Sequence, residues 1–167
     1  MTDNNTAATQ QASEQRFSIE KLYIKDASLE SPNVPAIFTT KWEPEINLQL
    51  ASETKKVDND HDLFESVLTI TITAKLGEKT AYLVEIKQAG LFAISGFDDA
   101  EMAPLVNSYC PGTLYPFARE AINSMVEKGG FPPLYLAPIN FDAIWAQRQQ
   151  EAAMAQSQGA SGTQVSH

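Results

Sequence analysis

The sequence predicts an α+β fold: a four-stranded antiparallel sheet followed by helices packed on one of its faces. Three observations carry this. Apolar and polar residues alternate along Leu63 to Leu76, four strand-like segments precede any convincing helical pattern, and an amphipathic stretch from Thr113 to Lys128 follows them. Strands first and helices after is the layout in which helices cover one side of an antiparallel sheet.

The first segment, Phe17 to Leu29, is rich in β-branched and aromatic residues, as a strand requires. Ser31 to Pro44 carries Pro32, Pro35 and Pro44, which keep it from pairing regularly, so it reads as a crossing loop, unusually apolar in holding Val34, Ile37, Phe38 and Trp42. Ile46, Leu48 and Leu50 alternate with Asn47 and Gln49 in a second strand. The third is the clearest: Phe64, Leu68, Ile70, Ile72, Ala74 and Leu76 alternate with Glu65, Thr69, Thr71, Thr73 and Lys75. Gly77-Glu78-Lys79 turns the chain into Thr80 to Gln88, with Tyr82, Val84 and Ile86 on one side and Leu83, Glu85 and Lys87 on the other, completing a hairpin.

Asp99 to Ser108 reads as a short helix capped by Asp98 or Asp99 and ended by Pro111, with Tyr109-Cys110-Pro111-Gly112 as a breaker. In the main helix Ala118, Ala121, Ile122 and Met125 recur at helical steps, Pro116 falls in the first turn, and Gly129 is placed to stop it. Gly129 to Tyr135 is a second apolar loop, and Asn140 is the expected N-cap of a last helix running through Ile144 and Trp145.

The chain of 167 residues is the length of one domain with a sizeable core. Residues 1–15 and 155–167 are dominated by Thr, Asn, Gln, Ala, Ser and Gly and are expected to be disordered tails around a single domain at 16–154. Twelve basic against 21 acidic residues give a net charge of −9, which repels phosphate backbones and anionic lipids, so nucleic acid is an unfit partner and a basic protein a fitting one. No basic region followed by an apolar run opens the chain and no segment approaches a membrane span, so an untargeted cytoplasmic protein without membrane insertion is expected. A lone cysteine, Cys110, allows no internal disulfide and fits that compartment.

Residues capable of covalent chemistry are scarce. His61 and the terminal His167 are the only histidines, which supports neither a His-based triad nor a histidine zinc site. Asp58, Asp60 and Asp62 imitate the opening of a calcium loop, but Leu63 stands where a glycine is needed and Thr69 where a bidentate glutamate is needed. A solvated acidic loop is the reading, and Cys110 reads as a small buried hydrophobe. No catalytic residue, metal or cofactor is assigned.

Binding surfaces are better supported. Phe38, Trp42, Phe131, Leu134 and Tyr135 sit in two separate proline-bearing loops. Core filling accounts for any one of them, whereas an apolar groove between the loops accounts better for the set. If the first strand reaches Glu30, Asp26 and Glu30 share one face, and Leu83 and Glu85 share a face of the hairpin's second strand. Carboxylates around an exposed leucine could dock a cationic partner, with an ordinary solvated sheet surface as the equal alternative. A compact pocket in a small-molecule-binding or carboxylate-using enzyme is the competing functional class, and ligand length separates the two.

Several segments in order carry a family resemblance: Leu22-Tyr23-Ile24-Lys25-Asp26, Trp42-Glu43-Pro44-Glu45, Gly90-Leu91-Phe92-Ala93-Ile94, Tyr109-Cys110-Pro111, Tyr115-Pro116-Phe117-Ala118-Arg119-Glu120, and Leu136-Ala137-Pro138-Ile139-Asn140-Phe141-Asp142. On these the chain resembles SecB, the bacterial protein-export chaperone family, over nearly its whole folded length. The resemblance implies a dimer of dimers that binds unfolded precursor proteins in the cytosol, keeps them competent for translocation and hands them to the SecA motor ATPase, without catalysis or nucleotide. It implies SecA docking at Asp26, Glu30, Leu83 and Glu85, and an effect on tetramer assembly at Val84, Ile86 and Gln88. The client groove is then expected at Phe38, Trp42, Phe131, Leu134 and Tyr135. Two departures stand out: Val84 replaces a cysteine found in some members, and Ala89 precedes Gly90 where a Gly-Gly pair is common.

Overall fold

A computed structural model describes residues 14–160. The chain enters as β1 (Arg16–Glu30), crosses through a loop holding one 3-10 turn (Ala36–Thr39), and returns as the meander β2 (Glu45–Asp58), β3 (Leu63–Leu76) and β4 (Lys79–Ser95). All pairings are antiparallel and the order across the sheet is β1-β4-β3-β2. The crossing loop therefore carries the chain from one sheet edge to the other, the Greek-key arrangement. Then come α1 (Asp99–Pro104), a π-helical turn (Leu105–Tyr109), α2 (Cys110–Lys128) and α3 (Phe141–Ala160).

Strand parity divides the sheet into two unlike faces. Leu68, Ile70, Ile72 and Ala74 pair with Gln88, Ile86, Val84 and Tyr82, and all eight are buried on the side covered by α2. The helix meets them with Leu114, Ala118, Ala121, Ile122 and Val126, spaced to lie along one stripe. At Gly90 the helix touches the strand itself, since a Cβ there would stand 3.1 Å from Leu114 Cδ2 and 2.8 Å from the Phe92 ring. The pairing of β4 with β3 runs through Ala89 and Gly90 without a register shift, so alanine in place of glycine leaves the ladder whole.

The helical region corrects the sequence reading. Tyr109 to Gly112 is not a breaker: the π-helical turn passes straight into α2, and the Cys110 N–H reaches back to the Leu105 carbonyl. The wider turn accommodates Pro111, and the Val106 carbonyl accepts from the Thr54 hydroxyl of β2 at 3.3 Å. Pro116 consequently lies inside α2 and not in its first turn, leaving the helix without the N–H that would bond the Gly112 carbonyl. Asp98 is the α1 cap, in a reciprocal box with Glu101.

The last helix also differs. Asn140 Oδ1 accepts from the Ala143 N–H at 3.0 Å, the expected N-cap, but α3 continues to Ala160, into the stretch assigned to a disordered tail. Ala- and Gln-rich sequence has high helix propensity, and Gln147 bonds Glu151 one turn on at 2.9 Å. The tail expected at 1–15 falls outside the described residues as far as residue 13, as does that beyond residue 160.

Candidate binding surfaces

The two apolar loops meet. Asn33 Nδ2 donates to the Thr80 carbonyl at 2.8 Å and ties the crossing loop to the start of β4, and the 3-10 turn buries Ile37 while leaving Phe38 half exposed. On the other side the end of α2 is closed by the Gly129 N–H bonding the Met125 carbonyl at 2.9 Å, after which Gly130 adopts φ +86. Phe131 then turns inward and lies 5.2 Å from the Phe38 ring centre, 5.7 Å from Trp42 and 4.9 Å from Tyr82. Ile37, Phe38, Thr40, Trp42, Gly130, Phe131 and Pro132 enclose a largely apolar cavity of about 350 Å³. Phe131 is its floor, only 5% exposed.

The five expected groove residues do not form one site. Phe38, Trp42 and Phe131 come together, whereas Leu134 and Tyr135 line a separate depression of about 340 Å³ against Pro116, Arg119, Glu120 and Asn123 of α2. The Leu134 N–H donates to Asn123 Oδ1 at 2.8 Å and the Tyr115 hydroxyl to the Ala137 carbonyl at 2.6 Å, so the 131–140 segment is laid extended along the helix. Tyr82, which strand parity places beside Val84 and Ile86 but which is not among the expected groove residues, is the buried backing of the cavity, and burial pushes its phenol up to about 12. Its place beneath Trp42 depends on how the loop crosses the sheet, which strand periodicity does not encode.

The opposite sheet face is the polar one. The β1 register opposes Asp26 to Lys87, Ser28 to Glu85 and Glu30 to Leu83, so Asp26, Glu30, Leu83 and Glu85 share that face. A bulge between Ile24 and Asp26 sets their alignment. Val84 and Ile86 point the other way, fully buried against α2, and Gln88 is buried with its amide donating to the Tyr23 carbonyl at 3.0 Å. On the polar face Glu65 accepts from the Tyr23 hydroxyl at 2.5 Å and from Lys25 at 2.9 Å, with Lys55 at 3.5 Å. The Tyr23 and Lys25 hydrogen bonds, then the two lysine charges, hold the Glu65 carboxyl below its usual range. Burial first, and the Glu65 carboxylate second, push Tyr23 up to about 12.

The residues that imitated chemistry have local roles. The Asp58 carboxylate accepts from the backbone of Asp60 at 2.8 Å and faces His61 Nδ1 at 3.0 Å, closing its own turn. No group of His, Cys, Asp and Glu suited to a metal occurs among the described residues. Cys110 is fully buried and its thiol is pushed up to about 12 by desolvation. No described helix is long and apolar enough to cross a membrane.

An aromatic-lined cavity thus opens on one side of the sheet, and a polar face carrying Asp26, Glu30 and Glu85 lies on the other. The family described as "Preprotein translocase subunit SecB" matches residues 10–152, and the chain belongs to it. Similar proteins include the protein-export protein SecB of Methylococcus capsulatus, 57% identical over 142 residues covering 85% of this chain and 90% of that one. That of Nitrosococcus oceani is 46% identical over 166 residues, covering 98% and 96%. Among solved structures, the Mycobacterium tuberculosis Rv1957 SecB-like chaperone in complex with a ChAD peptide from the Rv1956 HigA1 antitoxin shares the fold, with a TM-score of 0.63 at 16% identity over 74% of this chain and 91% of that one. The family is one of protein-export chaperones and not of enzymes, which removes the small-ligand enzyme from consideration.

Proposed function

We propose that this protein holds unfolded precursor polypeptides in the cytoplasm and delivers them to SecA for export. The observation that carries this reading is the cavity between the crossing loop and Gly130–Pro132, an apolar, aromatic-lined opening with Phe38 half exposed at its rim. Ile46 and Leu48 are exposed on the same sheet face, so an extended segment leaving the cavity along β2 would continue over apolar surface. Burying one large apolar client side chain contributes about 1.5–3 kcal/mol, so several must engage to offset the ordering of a disordered segment. Leu134 and Tyr135 supply a second, shallower contact along α2.

Assembly as a dimer of dimers would link such grooves and raise the effective concentration for long clients. Val84, Ile86 and Gln88, lying in the core, would influence that assembly through the packing of the sheet against α2. SecA is read as docking on Asp26, Glu30, Leu83 and Glu85, where carboxylates suit a basic segment.

The test is light scattering on a sizing column with an unfolded precursor-like protein and with the same protein folded. A tetramer-sized particle that captures only the unfolded form supports the reading; capture of neither form overturns it. Phe38→Ala with Trp42→Ala should weaken capture about tenfold or more while the particle keeps its size.

A further inference from the structure

Glu85 differs from the other two acids of the docking face. Among the described residues, Asp26 and Glu30 have no side-chain hydrogen bond or ion pair, whereas Glu85 Oε2 accepts from the Thr71 hydroxyl of β3 at 2.9 Å. Thr71 and Glu85 oppose each other directly in the β3–β4 ladder. We infer that Thr71 is a positioning residue of the docking face, its hydroxyl holding the Glu85 carboxylate across the sheet and ready for a cationic partner. The inference rests on the docking reading above.

Threonine suits this role because its β-branched side chain is stiff at χ1, so the hydroxyl is fixed by the strand. A glutamate side chain loses considerable rotamer freedom when it is immobilised by a partner, and Thr71 imposes most of that loss beforehand. The bond uses one carboxylate oxygen and leaves Oε1 for an ammonium or guanidinium. It also directs Glu85 toward β3 and away from Lys87, two residues along on the same face, which makes no ion pair among the described residues. Without the hydroxyl, Glu85 is free to turn along β4 to Lys87, and the face neutralises part of its own charge.

The experiment measures purified SecA binding to the full chain and to Thr71→Val, Thr71→Ser, Glu85→Gln and the Thr71→Val/Glu85→Gln pair. Thr71→Val should weaken binding about fivefold, Thr71→Ser should restore it, and adding Thr71→Val to Glu85→Gln should cost nothing further. Assembly size and capture of unfolded protein serve as controls for folding. Loss in Glu85→Gln without loss in Thr71→Val overturns the positioning role and leaves docking standing. Unchanged binding in Glu85→Gln overturns the docking of SecA on this carboxylate, and the positioning role with it. A weakening by Thr71→Val that persists in the Glu85→Gln background would mean Thr71 acts by another route.

Discussion

Gly130 and Phe38 touch across the two apolar loops: a Cβ added at Gly130 would stand 3.2 Å from Phe38 Cζ, and the glycine's φ of +86 is one that side-chain-bearing residues avoid. The aromatic cavity is thus shaped by a residue with no side chain.

Gly130→Ala should cost about 1–2 kcal/mol of stability from the left-handed backbone alone. It should also displace the Phe38 ring and reduce capture of unfolded protein. Urea unfolding measures the first effect and titration with a fluorescent unfolded protein the second. Unchanged capture in a folded variant would mean that Phe38 is free to move and the cavity rim tolerates it.

Trp42 offers a direct report on the cavity. It stacks on Tyr82 with ring centres 6.3 Å apart and lines the opening, while the other tryptophan, Trp145, lies on α3. In a Trp145→Phe variant the remaining emission should move to shorter wavelength when an unfolded polypeptide fills the cavity, and should not move with the folded form. An emission indifferent to bound client would place the client elsewhere.

Glu65 should make the sheet acid-sensitive. Its folded carboxyl is held below its unfolded value, so its contribution is fully present above the unfolded value and is lost as pH falls through the folded pKa. Glu65→Gln should cost about 1–3 kcal/mol at pH 7, because Tyr23 and two lysines lose a charged partner. It should also flatten the fall in stability below pH 4. Denaturant unfolding from pH 7 down to pH 3 measures both; parallel curves for the two proteins would remove Glu65 from the acid response.

The strands were legible because a half-buried strand repeats every two residues, and the chain from Leu68 to Leu76 obeys that rule with one face under α2. The same parity separated Leu83 and Glu85 from Val84 and Ile86. The α1–α2 junction was not legible, because Pro111 and Gly112 signal a break wherever an α-helix is assumed, and only a π-helical turn supported by Thr54 from β2 makes them compatible with a helix. The aromatic cavity was legible as two apolar loops and not as one lined opening. Phe131 and Leu134 are three residues apart in one loop, yet the turn at Gly130 sends the first inward to Tyr82, while the Asn123 bond holds the second along α2. The Glu65 cluster escaped because its partners come from β1 and β2, across a register no single strand reveals.

Cys110 gives a readout of the packing between sheet and helix. It is the first residue of α2, fully buried, with its thiol pushed up to about 12 by desolvation, so little of it is the thiolate that reacts with disulfide reagents at pH 8. The native protein should therefore resist thiol labelling at that pH over the time in which the urea-unfolded chain is labelled completely. Labelling should track opening of the α2–β4 packing, and Val84→Ala, which removes buried methyl groups from that packing, should accelerate it. Rapid native labelling unaffected by Val84→Ala would mean that Cys110 is reached without unfolding, and that the start of α2 is looser than its burial indicates.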